Sequence, residues 1–258
     1  MSRGASGRAS RAAGDAGVLS ALQKYFQQSE LPLVSLSFLL PMIVLYEIGT
    51  YYFASDWARH TETRVLAFNL LRQFLAMFGA TGRYLPCFAV CFILLSWHIA
   101  RRDRWQLQVG TNFLMCIESA LLALPILAIG SIVGHYLPLY APGHSLKGGL
   151  VLALGAGIYE ELVFRLIAFT LLNILLVDML KIEKKWAYLL IVVGSSILFA
   201  LYHYWSPQSA PFRWSDCIFR TICGGYFGVL FMSRGFGITA GTHAVYDIYF
   251  FTVRAFLA

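Results

Sequence analysis

The sequence predicts an all-α fold, a polytopic transmembrane helix bundle of about seven to eight spans. Three observations carry this. Hydrophobic residues make up 59% of the 258 positions and charged residues only 13%, against about a quarter charged in ordinary soluble domains. The apolar residues fall into runs near the roughly 20 residues needed to cross a bilayer. The cations collect in the short links between those runs.

Residues 1–30 open with MSRGASGRASRAAGDAG, rich in Arg, Ser, Gly and Ala. Such a composition builds no packed core and reads as a disordered tail. It has no apolar centre of the kind a secretory signal needs, although an Arg- and Ser-rich start also fits an organelle transit peptide. Within it, residues 18–28 suit a short amphipathic helix on the membrane surface. Residues 31–258 then form a single transmembrane domain, with spans at 33–54, 84–100, 112–137, 149–178, 187–205, 216–233 and 237–256. Pro41 and Pro125 fall inside spans, where neighbouring helices accommodate a kink. The stretch 64–80 carries two arginines on a helical pattern and reads either as an interfacial helix or as an eighth, partly buried span.

Seven spans with a cytosolic N-terminus put the two densest basic clusters, RRDR at 101–104 and KIEKK at 181–185, on the cytosolic side. This follows the positive-inside rule. The net charge of +7 is spent on helix orientation and anionic headgroups, so nucleic acid is not an expected partner. The five cysteines show no CxxC pair or zinc-ribbon spacing and read as reduced, packed thiols. Small residues recur at Gly130 with Gly134 and at Gly224 with Gly228, a spacing that lets helices approach closely. No internal repeat is visible, which weighs against an inverted-repeat transporter.

Ionisable groups inside apolar runs are costly and mark function. Three such clusters lie in the C-terminal half. The first is Glu160-Glu161-Leu-Val-Phe-Arg165. Glu161 and Arg165 are four residues apart and share a helix face, so they pair. Glu160 points about 100° away and lacks a local cation, which leaves it for chemistry as a general base. The second cluster is Phe199-Ala-Leu-Tyr-His203. The third is His243-Ala-Val-Tyr-Asp247, whose acid and imidazole line one face, so that Asp247 is placed to orient His243 or to bind a cation. A purely structural ion-pair network is the plainer alternative for the first cluster, and a satisfied interior histidine for the second.

The order EExxxR, FxxxH, HxxxD on three separate membrane helices resembles the CPBP superfamily of intramembrane proteases. That superfamily includes type II CAAX prenyl endopeptidases and the bacteriocin-immunity-associated (Abi) proteins. The resemblance covers a protease-like core of about residues 110–256. It implies an intramembrane endopeptidase that hydrolyses a peptide bond near the C-terminus, or in the membrane-proximal part, of a membrane-associated peptide or protein. By resemblance, the water-activating glutamate falls on Glu160, its supports on Glu161 and Arg165, the water-holding histidine on His203, and the last motif on His243 and Asp247. Phe199 opens the FxxxH motif. Prenyl endopeptidases usually carry asparagine where this chain has Asp247. An aspartate donates a hydrogen bond only when protonated. No cofactor is expected. Zinc is the alternative, held by Glu160, His203 and His243 with an open position, although no HExxH helix is present. The rival function within the same fold is a non-proteolytic immunity or scaffold protein; outside it, a proton-coupled carrier. The expected location is an integral protein of a bacterial inner membrane. The sequence does not state an oligomeric state.

Overall fold

The computed structural model describes residues 17–56, 61–132, 145–205 and 211–257. Residues 1–16 of the expected tail lie outside the described residues, as does Gly134.

The described chain is a helical membrane bundle. Helix α1 covers residues 17–29, α2 Pro32–Phe53, α3 Leu66–Ala76, α4 Leu85–Arg101 and α5 Val109–Ile132. Helix α6 runs unbroken over Leu146–Met179, α7 over Lys184–Tyr202, and α8 over Trp214–Leu257. Among the described residues, α2, α5, α6 and α7 are long and apolar enough to cross a membrane, and α4 is a shorter apolar helix. The only strand pairing among the described residues is a two-residue hairpin. It pairs Ser55 with Glu62 and Asp56 with Thr61 antiparallel, between α2 and α3.

Local chemistry sets the helix ends. Proline opens the first turn of α2 and of α4, where its missing N–H costs nothing. The Ser145 hydroxyl caps α6 by accepting from the Gly148 amide at 3.2 Å. Pro41 and Pro125 sit inside α2 and α5 as expected, without ending either helix.

Helix α3, with 11 residues, spans only about 16 Å, half the thickness of a hydrocarbon core. Arg64, just before it, is buried and pairs with Glu47 at 2.8 Å and Glu62 at 3.2 Å; Glu62 in turn holds Arg83 at 2.7 Å. Arg64 is thus neutralised by two acids and lies 4.5 Å over the Phe68 ring.

Close helix contacts are made at glycines. A Cβ on Gly155 would strike the Tyr46 ring, and one on Gly49 would strike Val151, so α2 and α6 pack in opposite directions. Gly224 of the predicted small-residue pair faces Ser196, and Gly228 faces Val192 and Phe169, which brings α8 against α7. Helix α8 has two limbs that meet at Gly235, whose φ of 74° is left-handed and open to glycine at little cost. Just before this joint, Arg234 holds Glu118 of α5 through two hydrogen bonds of 2.6 and 2.9 Å and Ser29 of α1 at 2.8 Å. Tyr25 of α1 also donates to Glu118. The N-terminal helix is thereby tied to the bundle at the bend.

Candidate active site

Helix α6 carries the first cluster. Its backbone widens into π-type turns at Ala156–Glu160 and Leu162–Ile167, which flank Glu161. Such turns insert a residue into the helical ladder and recur at functional sites. Glu160, Glu161 and Arg165 are all buried. One turn earlier, a Cβ on Gly157 would lie 2.5 Å from the Ala240 carbonyl oxygen and 2.7 Å from the Ala244 amide nitrogen. The backbones of α6 and the second limb of α8 therefore touch beside the acids. Gly157→Ala is expected to cost about 1–3 kcal/mol through overpacking. Gly194→Ala, on a helix face with nothing within 4 Å, is expected to be neutral or mildly stabilising. Thermal unfolding of the two variants in one detergent tests this contrast; equal midpoints would refute the close approach.

That approach brings Glu161 to the third cluster. Its Oε1 lies 2.7 Å from His243 Nδ1, and its Oε2 lies 3.2 Å from Arg165 Nε. Arg165 also donates to the Gly224 carbonyl at 2.9 Å and lies 4.7 Å over the Phe199 ring. Glu161 is therefore both partner of Arg165, as its spacing suggested, and the residue that orients His243. The sequence offered Asp247 two roles, that one or the binding of a cation. The structure instead places Asp247 Oδ2 3.6 Å from Nε2, on the opposite edge of the ring. Phe227 stacks flat on His243 at 4.6 Å.

His203 follows the last residue of α7. Its Nδ1 is 2.7 Å from the Phe199 carbonyl oxygen. A carbonyl only accepts, so Nδ1 carries the proton and Nε2 of the neutral ring presents a lone pair. This gives Phe199 its place in the motif: its carbonyl orients His203, and its ring supports Arg165.

The three clusters converge on one atom. His203 Nε2 and His243 Nε2 each stand 3.9 Å from Glu160 Oε2. The other oxygen of Glu160 accepts from the Tyr202 hydroxyl at 3.5 Å. Sequence reasoning did not single out Tyr202, Phe227 or the Gly224 carbonyl. The adjacency of Tyr202 to His203 was the available signal for the first; nothing in the sequence pointed to the other two.

Zinc fits this arrangement poorly. Tetrahedral zinc with bonds of about 2.0–2.1 Å sets its donors roughly 3.3–3.4 Å apart, and both imidazoles stand 3.9 Å from the carboxylate oxygen. Among the described residues, no group of three His, Cys, Asp or Glu side chains is placed to hold a metal ion. The same spacing suits a water. An oxygen about 2.8 Å from each of two acceptors 3.9 Å apart subtends roughly 90°, within the range of a water donating to both.

Residues 142–249 match the family model for the Rce1-like type II CAAX prenyl endopeptidase. No curated protein and no solved structure matches the chain. The matched segment contains all three clusters, from Glu160 to Asp247. Residues 142–249 of this integral membrane protein are thus similar to the type II CAAX prenyl endopeptidases.

Proposed function

We propose that the protein is an intramembrane endopeptidase in which Glu160 activates water for attack on a peptide bond. One observation carries the reading: two imidazole Nε2 atoms from different helices stand 3.9 Å from the same carboxylate oxygen, inside an apolar bundle. A water there donates one hydrogen to Glu160 Oε2 and the other to His203 Nε2, which leaves a lone pair for the carbonyl carbon. As the C–O bond forms, Glu160 takes the proton. His243, protonated on Nδ1 toward Glu161, turns an Nε2–H to the developing oxyanion. Buried donors in that position are worth several kcal/mol, about 2.7–4 in measured cases. When the C–N bond breaks, Glu160 returns its proton to the leaving amine. Asp247 holds the Nε2 edge of His243, and Tyr202 holds the far oxygen of Glu160.

The substrate is a membrane-associated peptide or protein, cut near its C-terminus or where it meets the membrane. The reaction needs no metal or other cofactor. Seven spans, formed by α2, α4, α5, α6, α7 and the two limbs of α8, leave α3 in the interface. The N-terminus and the two basic clusters face the cytosol of a bacterial inner membrane. Residues 1–30 form the tail, 31–258 one transmembrane domain, and about 110–256 the protease core.

The test compares the C-termini of membrane proteins, by mass spectrometry, from cells with and without the chain. Shortened C-termini should appear only with it. Cleavage of an identified substrate by the purified chain should then proceed at an unchanged rate in 1,10-phenanthroline. Absence of any shortened species would sink the protease reading, and inhibition by the chelator would return a metal to the site.

A further inference from the structure

The first limb of α8 brings one more buried cation to the site. Arg220 is 8% exposed and lies one turn before Gly224, which faces Ser196 of α7. Its guanidinium sits 5.0 Å over the ring of Tyr204, the residue after His203. Arg220 thus packs on the neighbour of His203.

Arg220 differs from the other buried arginines among the described residues. Arg64 holds Glu47 and Glu62, and Arg165 holds Glu161 and the Gly224 carbonyl. Arg220 makes no ion pair and donates no hydrogen bond among the described residues; its one close partner there is an aromatic face. Asp216, one turn earlier on the limb, accepts from Ser215 at 3.3 Å. The planar fork of a guanidinium matches a carboxylate.

We propose that Arg220 binds a carboxylate of the peptide substrate, from the chain terminus or from an acidic side chain beside the cut, and so sets which bond reaches Glu160. The proposal rests on the protease reading and makes Arg220 a specificity residue.

The experiment uses the full chain carrying Glu160→Gln, in phosphatidylcholine nanodiscs. Three dansylated probes are titrated: N-dodecanoyl-trileucine as the free acid, the same peptide as its amide, and an amide with one leucine replaced by glutamate. The free acid should bind at least tenfold more tightly than the plain amide. Arg220→Gln should erase that difference, and Arg220→Lys should keep most of it. Tight binding of the glutamate amide identifies the side chain as the source; weak binding identifies the terminus. Failure of both the free acid and the glutamate amide to outbind the plain amide in the parent, which needs no variant to fold, overturns the proposal, as does a preference that survives Arg220→Gln. Cleavage of the probes by the chain with Glu160 intact is read separately. Carboxylate preference without cleavage speaks against the protease reading alone, and cleavage without preference speaks against Arg220 alone.

Discussion

Replacing Glu160 with glutamine is expected to lower the cleavage rate about 1,000-fold or more while the protein keeps its fold. Glutamine has the same shape, and its carbonyl oxygen still accepts from Tyr202, which donates to Glu160 at 3.5 Å. What it loses is the ability to take a proton from water. General bases contribute roughly 10²–10⁴ in rate, and the upper part of that range applies where the side chain is buried and no other described carboxylate stands against both imidazoles. Single-turnover cleavage in nanodiscs reads the rate, and a melting curve on the same sample reads the fold. A variant that cuts within threefold of the parent would remove Glu160 from its role.

The largest effect on stability is expected from Arg165→Met. Arg165 and Glu161 are both fully buried, with side chains at 0% exposure. Removing one partner of a buried pair leaves the other charge uncompensated, at about 3–5 kcal/mol. In a chain of this size that corresponds to a fall of roughly 6–20 °C in Tm. The double variant Glu161→Gln with Arg165→Met should recover part of the loss, because no full charge then remains. Both variants should also lose activity, since Glu161 fixes the ring of His243 at 2.7 Å. An Arg165→Met protein that melts within 2 °C of the parent would show that the pair is replaceable packing.

Much of this site was legible because charge is conspicuous in an apolar run. Glu160, Glu161, Arg165, His203, His243 and Asp247 each stand alone against leucine, phenylalanine and alanine. The pairing of Glu161 with Arg165 followed from helical spacing. The link from Glu161 to His243 did not, because it spans 82 positions and depends on a glycine that lets two backbones touch. Tyr202 was hidden among other tyrosines, whose packing and bonding roles look alike in a sequence. The run at 149–178 closely foretold the helix Leu146–Met179, yet not its wide turns, which reflect packing against neighbours more than local preference. The stretch 64–80 left two readings open. Only the acids Glu47 and Glu62, contributed by other segments, explain how Arg64 is buried beside so short a helix.

The joint at Gly235 makes the second limb of α8 a lever. His243 stands eight residues beyond it, an arm of about 12 Å at 1.5 Å per residue. A swing of only about 5° moves the imidazole along an arc of roughly 1 Å, a displacement that can cost about 100-fold in rate. The grip of Arg234 on Glu118 and Ser29 lies at the fulcrum, far from any reacting atom, and yet it sets the aim of the ring.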